Sequence, residues 1–306
     1  MQSQTQHQPN NALIGSLMVL AAAVTVSSKA IIVKLAYAYP VDAATLIALR
    51  MAFSAPFFIA LAIWASVSSN TPTINKKDAW KIFGLGVVGG YGPMWLDFAG
   101  LAYVTAGLER IILFLYPTIV VILSAILYKH KIGKREIFAL VASYAGVSLV
   151  VGHDVSLAKS GASGTMLGAA LVTASAIVYA AYLVFSGRVI PRVGSTSFTA
   201  YTMLAATLAS GLHFVSTAHQ VSVLHLPAQV YWLCLLMAVV ATVLPAVLLN
   251  AGIHRLGSNK ASLVSSIGPV STIFLAYIFL GEDITWLQLA GTGLVLMGVL
   301  VISMKK

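Results

Sequence analysis

The stretch Gly92-Pro-Met-Trp-Leu-Asp-Phe-Ala-Gly100 returns 152 positions later as Leu244-Pro-Ala-Val-Leu-Leu-Asn-Ala-Gly252, with its proline, its alanine and its last glycine in register. The same displacement carries Pro117 onto Pro269. Each copy contains five apolar stretches long enough to cross a bilayer, which takes about 20 residues. Because five is odd, the copies must enter the membrane in opposite orientations. The sequence therefore predicts an all-α integral membrane protein with ten transmembrane helices, arranged as two inverted five-helix repeats.

The repeat also predicts how the chain is organised. The front of each half aligns after a one-residue gap, which places Gly15 on Gly168. We expect a cytoplasmic N-terminal tail at 1–11, a first repeat at 12–151, an extracytoplasmic linker at 152–164 and a second repeat at 165–304. Inverted repeats are typical of secondary transporters, because two related halves can rock about a site between them. The architecture therefore favours transport.

The composition excludes a soluble protein. Hydrophobic residues make up 59% of the 306 residues and charged residues only 8%, with a mean hydropathy of +0.93. Soluble domains carry about 25% charged residues. The apolar runs are continuous and do not alternate as barrel strands do, so helices are the form in which this backbone satisfies its hydrogen bonds in lipid. The lipid bilayer is thus an expected partner.

Lysine and arginine residues predict the orientation, since short loops rich in these residues stay in the cytoplasm. Alternate loops hold most of the 18 cationic residues, and the opposite set of loops holds only Lys159. This distribution predicts that both termini are cytoplasmic. It also accounts for the net charge of +10 without a nucleic-acid partner. One cysteine and short loops favour the inner (cytoplasmic) membrane of a bacterial cell.

Several short strings carry a family resemblance. The most specific is Leu280-Gly-Glu282 followed by Gln288, and the others include Lys34, Arg50, Tyr116-Pro117, Gly268-Pro269, Gly291 and Gly298. These strings resemble the EamA type of the drug/metabolite transporter superfamily over nearly the whole chain. The resemblance implies that helices one, three, four, six, eight and nine surround a central cavity, while five and ten lie peripherally. It also implies export or exchange of small metabolites such as amino acids. Where family members often have an acidic residue, this sequence has Lys129-His-Lys.

Ionisable residues within the predicted helices are the first functional candidates, because a charge inside a membrane is costly to bury. Asp97, in the third helix, is either a cation or proton site or a structural partner for a basic residue. Lys29, deep in the first helix, is the candidate partner of Asp97 or of an anionic solute group. Glu109 opens the fourth helix as a cap or a coupling group, and Arg110 beside it has a structural or solute-binding role. A coupled proton is therefore one expected partner.

Two other cations stand near helix ends. Lys34 can extend its ammonium group to the outer membrane interface at little cost. Arg50, on the second helix, is expected in a structural ion pair on the outer side.

Aromatic, amide and hydroxyl groups are the candidates for binding a small-molecule substrate that has polar and apolar parts. Tyrosines and serines also simply pack helices, so both interpretations stay open here. The candidates are Tyr91, Trp95, Tyr116, Tyr179, Tyr182, Asn250, Ser265 and Ser266. Prolines are expected to break helices near the gates, and these are Pro93, Pro117, Pro245 and Pro269.

Motifs for enzymatic catalysis, for a phosphate-binding loop and for a metal site were not found in the sequence. We therefore expect no catalytic residue, no cofactor and no bound metal. The favoured function is a secondary transporter that exports small metabolites by alternating access. The alternatives are an uncoupled facilitator or channel-like pathway, and an exporter of cationic drugs or quaternary amines. The sequence leaves a homodimer open.

Overall fold

The computed structural model describes residues 9–67, 74–129, 132–157, 162–217 and 225–303, and its regular elements in these ranges are helices. The α-helices are α1 (Pro9–Ala36), α2 (Ala43–Val67), α3 (Lys76–Gly84), α4 (Gly92–Leu101), α5 (Ala106–Leu113), α6 (Tyr116–Tyr128), α7 (Lys134–Leu157), α8 (Ala162–Val193), α9 (Ser195–Thr217), α10 (Ala228–Ala238), α11 (Leu244–Leu256), α12 (Ser258–Ser265), α13 (Gly268–Leu280) and α14 (Trp286–Ser303).

Within the described ranges, eight helical stretches are long and apolar enough to cross a membrane. They are α1, α2, α7, α8, α9, the joined stretches α5–α6 and α10–α11, and the stretch from Leu263 through α13. The stretch from α3 to α4 is less apolar because it carries several glycines and Asp97, and the apolar part of α14 is shorter. The chain is thus built as a multi-pass membrane protein. The count of ten spans and the inversion of the halves stay predictions.

Two helical stretches widen into π-helix just before a proline. The segment Leu85–Tyr91 joins α3 to α4, and Val239–Val243 joins α10 to α11. Pro93 and Pro245 then stand in the first turn of α4 and α11, where a missing backbone N–H is tolerated. Short π-helical segments occur frequently at functional sites. The two segments occupy corresponding places in the sequence repeat.

Two other stretches break near their middle. The chain leaves regular α-helix at Phe114 and Leu115, between α5 and α6, and at Ser266 and Ile267, between α12 and α13. Pro117 and Pro269 follow in the first turn of α6 and α13. The four prolines singled out in the sequence therefore all stand at helix starts, and the breaks recur at the repeat distance.

Glycines let the two halves approach closely. A Cβ on Gly100 of α4 would lie 3.0 Å from the backbone oxygen of Gly168 in α8. A Cβ on Gly252 of α11 would likewise lie 3.0 Å from the backbone oxygen of Gly15 in α1. Any larger residue would push the backbones apart. The same contact is therefore built twice, once from each half.

The two ends of α1 meet the ends of different helices. Near its start, Gly15 contacts the end of α11. Just past its last turn, the Tyr37 hydroxyl donates to the Phe98 carbonyl of α4 at 2.6 Å. The helices α4 and α11 consequently end at opposite ends of α1. We refer to the end where α5 begins as the α5 end, and to the end where α12 begins as the α12 end.

The predicted tail and linker are partly helical. Helix α1 begins at Pro9, inside the tail predicted at 1–11, and residues 1–8 lie outside the described ranges. Helix α7 continues to Leu157 and α8 begins at Ala162, so the linker predicted at 152–164 is shortened from both sides. Residues 158–161 lie outside the described ranges.

Candidate functional site

Three of the predicted ionisable residues meet inside the bundle. The Lys29 ammonium lies 2.5 Å from Asp97 Oδ2 and 3.0 Å from Glu109 Oε1. The side chains are 14%, 5% and 0% exposed, respectively. We refer to Lys29, Asp97 and Glu109 as the buried triad. With all three groups ionised it carries a net charge of −1, so it is suited to take up a proton or a cation.

Helices from three parts of the first half position the triad. Lys29 projects from α1, where the neighbouring Ser27 hydroxyl donates to the Gly268 carbonyl at 2.9 Å. Asp97 lies in the short helix α4 that follows the first π segment. Glu109 lies in the first turn of α5, whose N-cap Thr105 accepts a hydrogen bond from the Leu108 amide. A carboxylate at this position also complements the positive helix end.

Two acceptors of the triad stay free. Asp97 Oδ1 and Glu109 Oε2 are buried and have no hydrogen-bond partner within the described part of the chain. A buried acceptor without a partner costs on the order of 1–3 kcal/mol, and more when it is charged. Such atoms are suited to hold a proton or a donor group of a solute.

Arg110, the next residue along α5, lacks the pairing that Lys29 has. No carboxylate of the described residues lies within 4.0 Å of its guanidinium, and its buried Nε has no hydrogen-bond partner there. The guanidinium carbon lies 5.9 Å from the centre of the Phe114 ring. Its Nη2 reaches the break before α13, 2.9 Å from where a Cβ of Gly268 would be.

A row of aromatic rings continues from Arg110. Phe114 is followed by Tyr116, Tyr179, Tyr182 and Phe198, with successive ring centres 6.1, 5.2, 6.0 and 6.0 Å apart. Gly168, near the start of α8, lies at the α5 end, whereas the two tyrosines of α8 are further along that helix. The aromatic row therefore leads from Arg110 towards the α12 end. The sequence singled out its three tyrosines but missed Phe114 and Phe198, since isolated phenylalanines in apolar helices carry no signal.

Tyr91 and Trp95, which were also candidates, lie in a separate group around His213 of α9. The Tyr91 hydroxyl and His213 Nδ1 form a hydrogen bond, and both aromatic rings meet the imidazole edge-on at 5.8 Å. Trp95 is 36% exposed at the surface of the bundle. Their predicted cavity role stays a prediction, because neither belongs to the triad or the aromatic row.

The neutral candidates of the second half are dispersed. Ser266 is buried and, with residues of α1 and α14, lines a lateral cavity of about 390 Å³. Ser265 is half-buried in the last turn of α12. Asn250 belongs to α11, but its side chain lies outside the described part. A second cavity of about 450 Å³, between α3 and α9, is lined almost wholly by apolar residues and lies away from the triad.

The sequence did not indicate the contacts of Lys34 and Arg50, and the contact of Arg50 differs from its expectation. Lys34, expected to reach the membrane surface, donates to the Leu101 carbonyl at the end of α4, at 3.1 Å. Arg50, expected in an ion pair, donates from Nε to the Thr242 hydroxyl at 3.0 Å and lies over the Phe98 ring. No carboxylate of the described residues is within 4.0 Å of Arg50, and its hydrogen bond to Thr242 ties α2 to the second π segment.

Glu282 joins the two halves at the α5 end. Its carboxylate accepts hydrogen bonds from the Ala106 amide at 2.9 Å and the Gly107 amide at 3.3 Å. These are first-turn amides of α5, which have no partner within their own helix. The Leu-Gly-Glu string therefore has a physical role that its sequence did not reveal: a residue of the second half caps a helix of the first.

The fold and the site define a class. Apolar spanning helices with matched breaks surround buried charges and aromatic rings, as in a membrane transport protein. Within the described residues, no three His, Cys, Asp or Glu side chains form a metal-ligand group. The model of the EamA-like transporter family matches residues 13–152 and 166–304. The chain belongs to this family, as its resemblance to EamA-type drug/metabolite transporters predicted.

Known proteins agree with this membership. The chain is 32% identical to the uncharacterized transporter YcbK of Bacillus subtilis, over 96% of this chain and 94% of that protein. A shorter match, 44% identical over 19% of each chain, is to a probable terminal-alkyne amino-acid exporter of Streptantibioticus cattleyicolor. A solved crystal structure matches with a TM-score of 0.63 and 18% identity, over 94% of this chain and 95% of that one, which shows a shared fold.

Proposed function

We propose that the protein is a secondary transporter that exports small amphipathic metabolites, amino acids among them, by alternating access of two inverted five-helix repeats. Ten spans, with α3–α4 and α14 as the third and the tenth, complete the arrangement. Both termini then face the cytoplasm of a cell whose inner membrane holds the protein, and the α5 end faces outwards.

The observation that carries the proposal is the buried triad beside the matched helix breaks. Lys29 is held by two carboxylates that each keep one free oxygen. Ionisable groups at such depth usually serve an ion or solute pathway. Protonation of one carboxylate, or binding of a solute ammonium group there, brings the triad to neutrality. Competition of a proton and a solute for one site is the simplest form of coupled exchange.

The repeat supports alternating access. The π segments, the prolines and the glycine contacts each occur twice, at corresponding positions of the halves. Two similar halves can exchange packings of similar energy, which is what rocking about a central site requires. The short match to an amino-acid exporter supports amino acids as the first substrates to test.

The experiment is uptake into proteoliposomes of radiolabelled amino acids and of a quaternary amine, with and without an imposed proton gradient. We expect saturable flux of amino acids that rises with the gradient. In Asp97→Asn, the response to the gradient should be lost while exchange of solute for solute persists. Asp283→Asn, which changes an exposed carboxylate outside the triad, is the matched control and should behave as wild type.

The result also separates the rival functions. An alternating carrier is accelerated by unlabelled solute on the opposite side of the membrane, whereas an open pathway is not. Flux without saturation or acceleration would replace the carrier with a facilitator. Flux restricted to the quaternary amine would replace amino acids with cationic drugs. A full gradient response in Asp97→Asn would remove Asp97 from the coupling.

A further inference from the structure

The buried triad and Arg110 contain two cations and two anions, but the charges are paired unevenly. Lys29 contacts both carboxylates, at 2.5 and 3.0 Å. Arg110 has no carboxylate within 4.0 Å among the described residues, and its Nε is buried without a hydrogen-bond partner. A charge held away from water without a counter-ion is costly. The four charges sum to zero, but among the described residues Arg110, which is partly exposed, is the charged group of this set that contacts no opposite charge.

The chemistry of the guanidinium indicates which anion would fit. Its planar fork matches a carboxylate, which can accept two parallel hydrogen bonds from it. The break between α12 and α13 stands directly beside it, because a Cβ on Gly268 would lie 2.9 Å from Arg110 Nη2. In transporters, half-helices that start at such breaks often point their positive ends at anionic solute groups. Gly268 leaves the space that the guanidinium occupies.

The aromatic row indicates what else the solute carries. It begins at Phe114, which Arg110 overlies, and continues through Tyr116 and Tyr179. Rings at this spacing offer edges and faces to another ring or to a branched apolar group. Glu109 precedes Arg110 in α5, and Asp97 Oδ1 and Glu109 Oε2 are buried acceptors without a partner among the described residues, so they are suited to accept from an ammonium group.

We propose that Arg110 binds the carboxylate of the transported solute and that the aromatic row receives its apolar part, so that the substrate class is aromatic monocarboxylates, α-amino acids included. This inference rests on the proposed transport function and narrows it. A quaternary amine without a carboxylate does not satisfy Arg110. Arg110 is thus a substrate-binding residue, distinct from the triad that exchanges the proton.

The test uses three probes that differ only in charged groups: L-phenylalanine, 3-phenylpropionate, which lacks the ammonium, and 2-phenylethylamine, which lacks the carboxylate. Binding to the purified full-length protein in detergent is measured by scintillation proximity. For Arg110→Met we expect at least a tenfold loss of affinity for both carboxylates and less than a twofold change for the amine. Arg110→Lys, which keeps the charge but not the fork, should recover part of the loss.

A second variant keeps the test open if Arg110→Met does not fold. In Gly268→Ala, the new methyl group would lie 2.9 Å from Nη2, and the guanidinium must move aside while its charge remains. Because the displaced atoms end a flexible side chain, we expect an unchanged melting temperature and a several-fold weaker binding of 3-phenylpropionate. Gly211→Ala, at a position with open space around it, is the control.

The outcomes separate this inference from the transport function. The role of Arg110 would be overturned if all three probes lost affinity equally. It would also be overturned if neither variant lost affinity for the two carboxylates. Absence of any carboxylate binding to the wild-type protein would overturn the substrate class. After either of these results, transport of an amine in the proteoliposome assay would still support the transport function. Absence of saturable flux for every solute, with carboxylate binding intact, would instead overturn the transport function.

Discussion

The two halves of the chain share their helix breaks and differ in the residues that stand beside them. In the first half, Lys29, Asp97 and Glu109 meet as the buried triad. At the corresponding positions of the second half the residues are uncharged, namely Tyr182, Leu249 and Ala261. The glycine contacts and π segments, in contrast, occur in both halves. The close packing is thus duplicated, whereas the buried ion pairs of the triad lie in the first half.

The two ends of the bundle also differ, in how the first amides of their helices are capped. At the α5 end, Thr105 and Glu282 cap the first amides of α5. At the α12 end, α12 starts after Gly257, which has no side chain to cap it. The position corresponding to Glu282 is His130, which lies outside the described residues. Among the described residues, the cap at the α5 end has no counterpart at the α12 end. In the alternating access that we propose, this cap stabilises the state in which the α5 end is closed.

The largest expected effect comes from removing the buried cation Lys29, which has no charged counterpart in the second half. Lys29→Met leaves two buried carboxylates without their cation, and removing one partner of a buried ion pair costs about 3–5 kcal/mol. We expect a large fall in the melting temperature of the purified protein. The triple variant Lys29→Met, Asp97→Asn and Glu109→Gln removes all three charges and should recover most of the loss. If Lys29→Met were as stable as wild type, this would mean that water reaches the triad.

The next effect tests what the halves share. Gly100→Ala and Gly252→Ala each place a methyl group against a facing backbone, and overpacking of this kind costs about 1–3 kcal/mol. Because the two contacts have the same geometry, we expect the two losses of thermal stability to be similar. Gly211→Ala, in open space, should show no loss. A loss confined to one of the two sites would show that only one contact supports the bundle.

A smaller effect tests the difference between the ends. Glu282→Gln weakens the cap on α5, and lost caps cost about 1 kcal/mol, which shifts a two-state equilibrium about fivefold. We expect faster labelling of Val104→Cys, at a position 3% exposed at the α5 end, by a membrane-impermeant thiol reagent. The background is Cys234→Ala, since Cys234 is the single cysteine. Asp283→Asn is the matched control, and equal labelling rates in the two variants would rule out the cap as a latch.

The smallest effect compares the ends of α6 and α13. Both end in the left-handed region, with φ of 52° at Lys129 and 66° at Gly281. Glycine adopts this conformation without strain, whereas other residues do so at a cost of about 1 kcal/mol. Lys129→Gly should therefore raise the melting temperature slightly, and Gly281→Ala should lower it. A lower melting temperature for Lys129→Gly would indicate that the Lys129 side chain makes a contact that outweighs its backbone strain.

Much of the site was predictable one residue at a time. Depth in the membrane marked Lys29 and Asp97, because a charge there needs a partner, and the structure joins them. The separation of Tyr91 from Tyr179 was not predictable, since both are tyrosines in apolar helices. Their distance depends on which helix faces which, and Tyr91 meets His213 of α9 instead. The ion pair expected for Arg50 was wrong, because the residue that approached it was Thr242, a hydroxyl from the other half.

The sequence by itself determined the membrane class, the family and the places where helices break, because hydropathy, short motifs and proline act locally along the chain. Only the tertiary structure decided which charges are paired. Lys29 and Arg110 look alike in sequence, as two cations in apolar helices. Among the described residues, packing of α1 against α4 and α5 gives Lys29 two carboxylates and leaves Arg110 without one within 4.0 Å. Pairing depends on distances between helices, which no local pattern encodes.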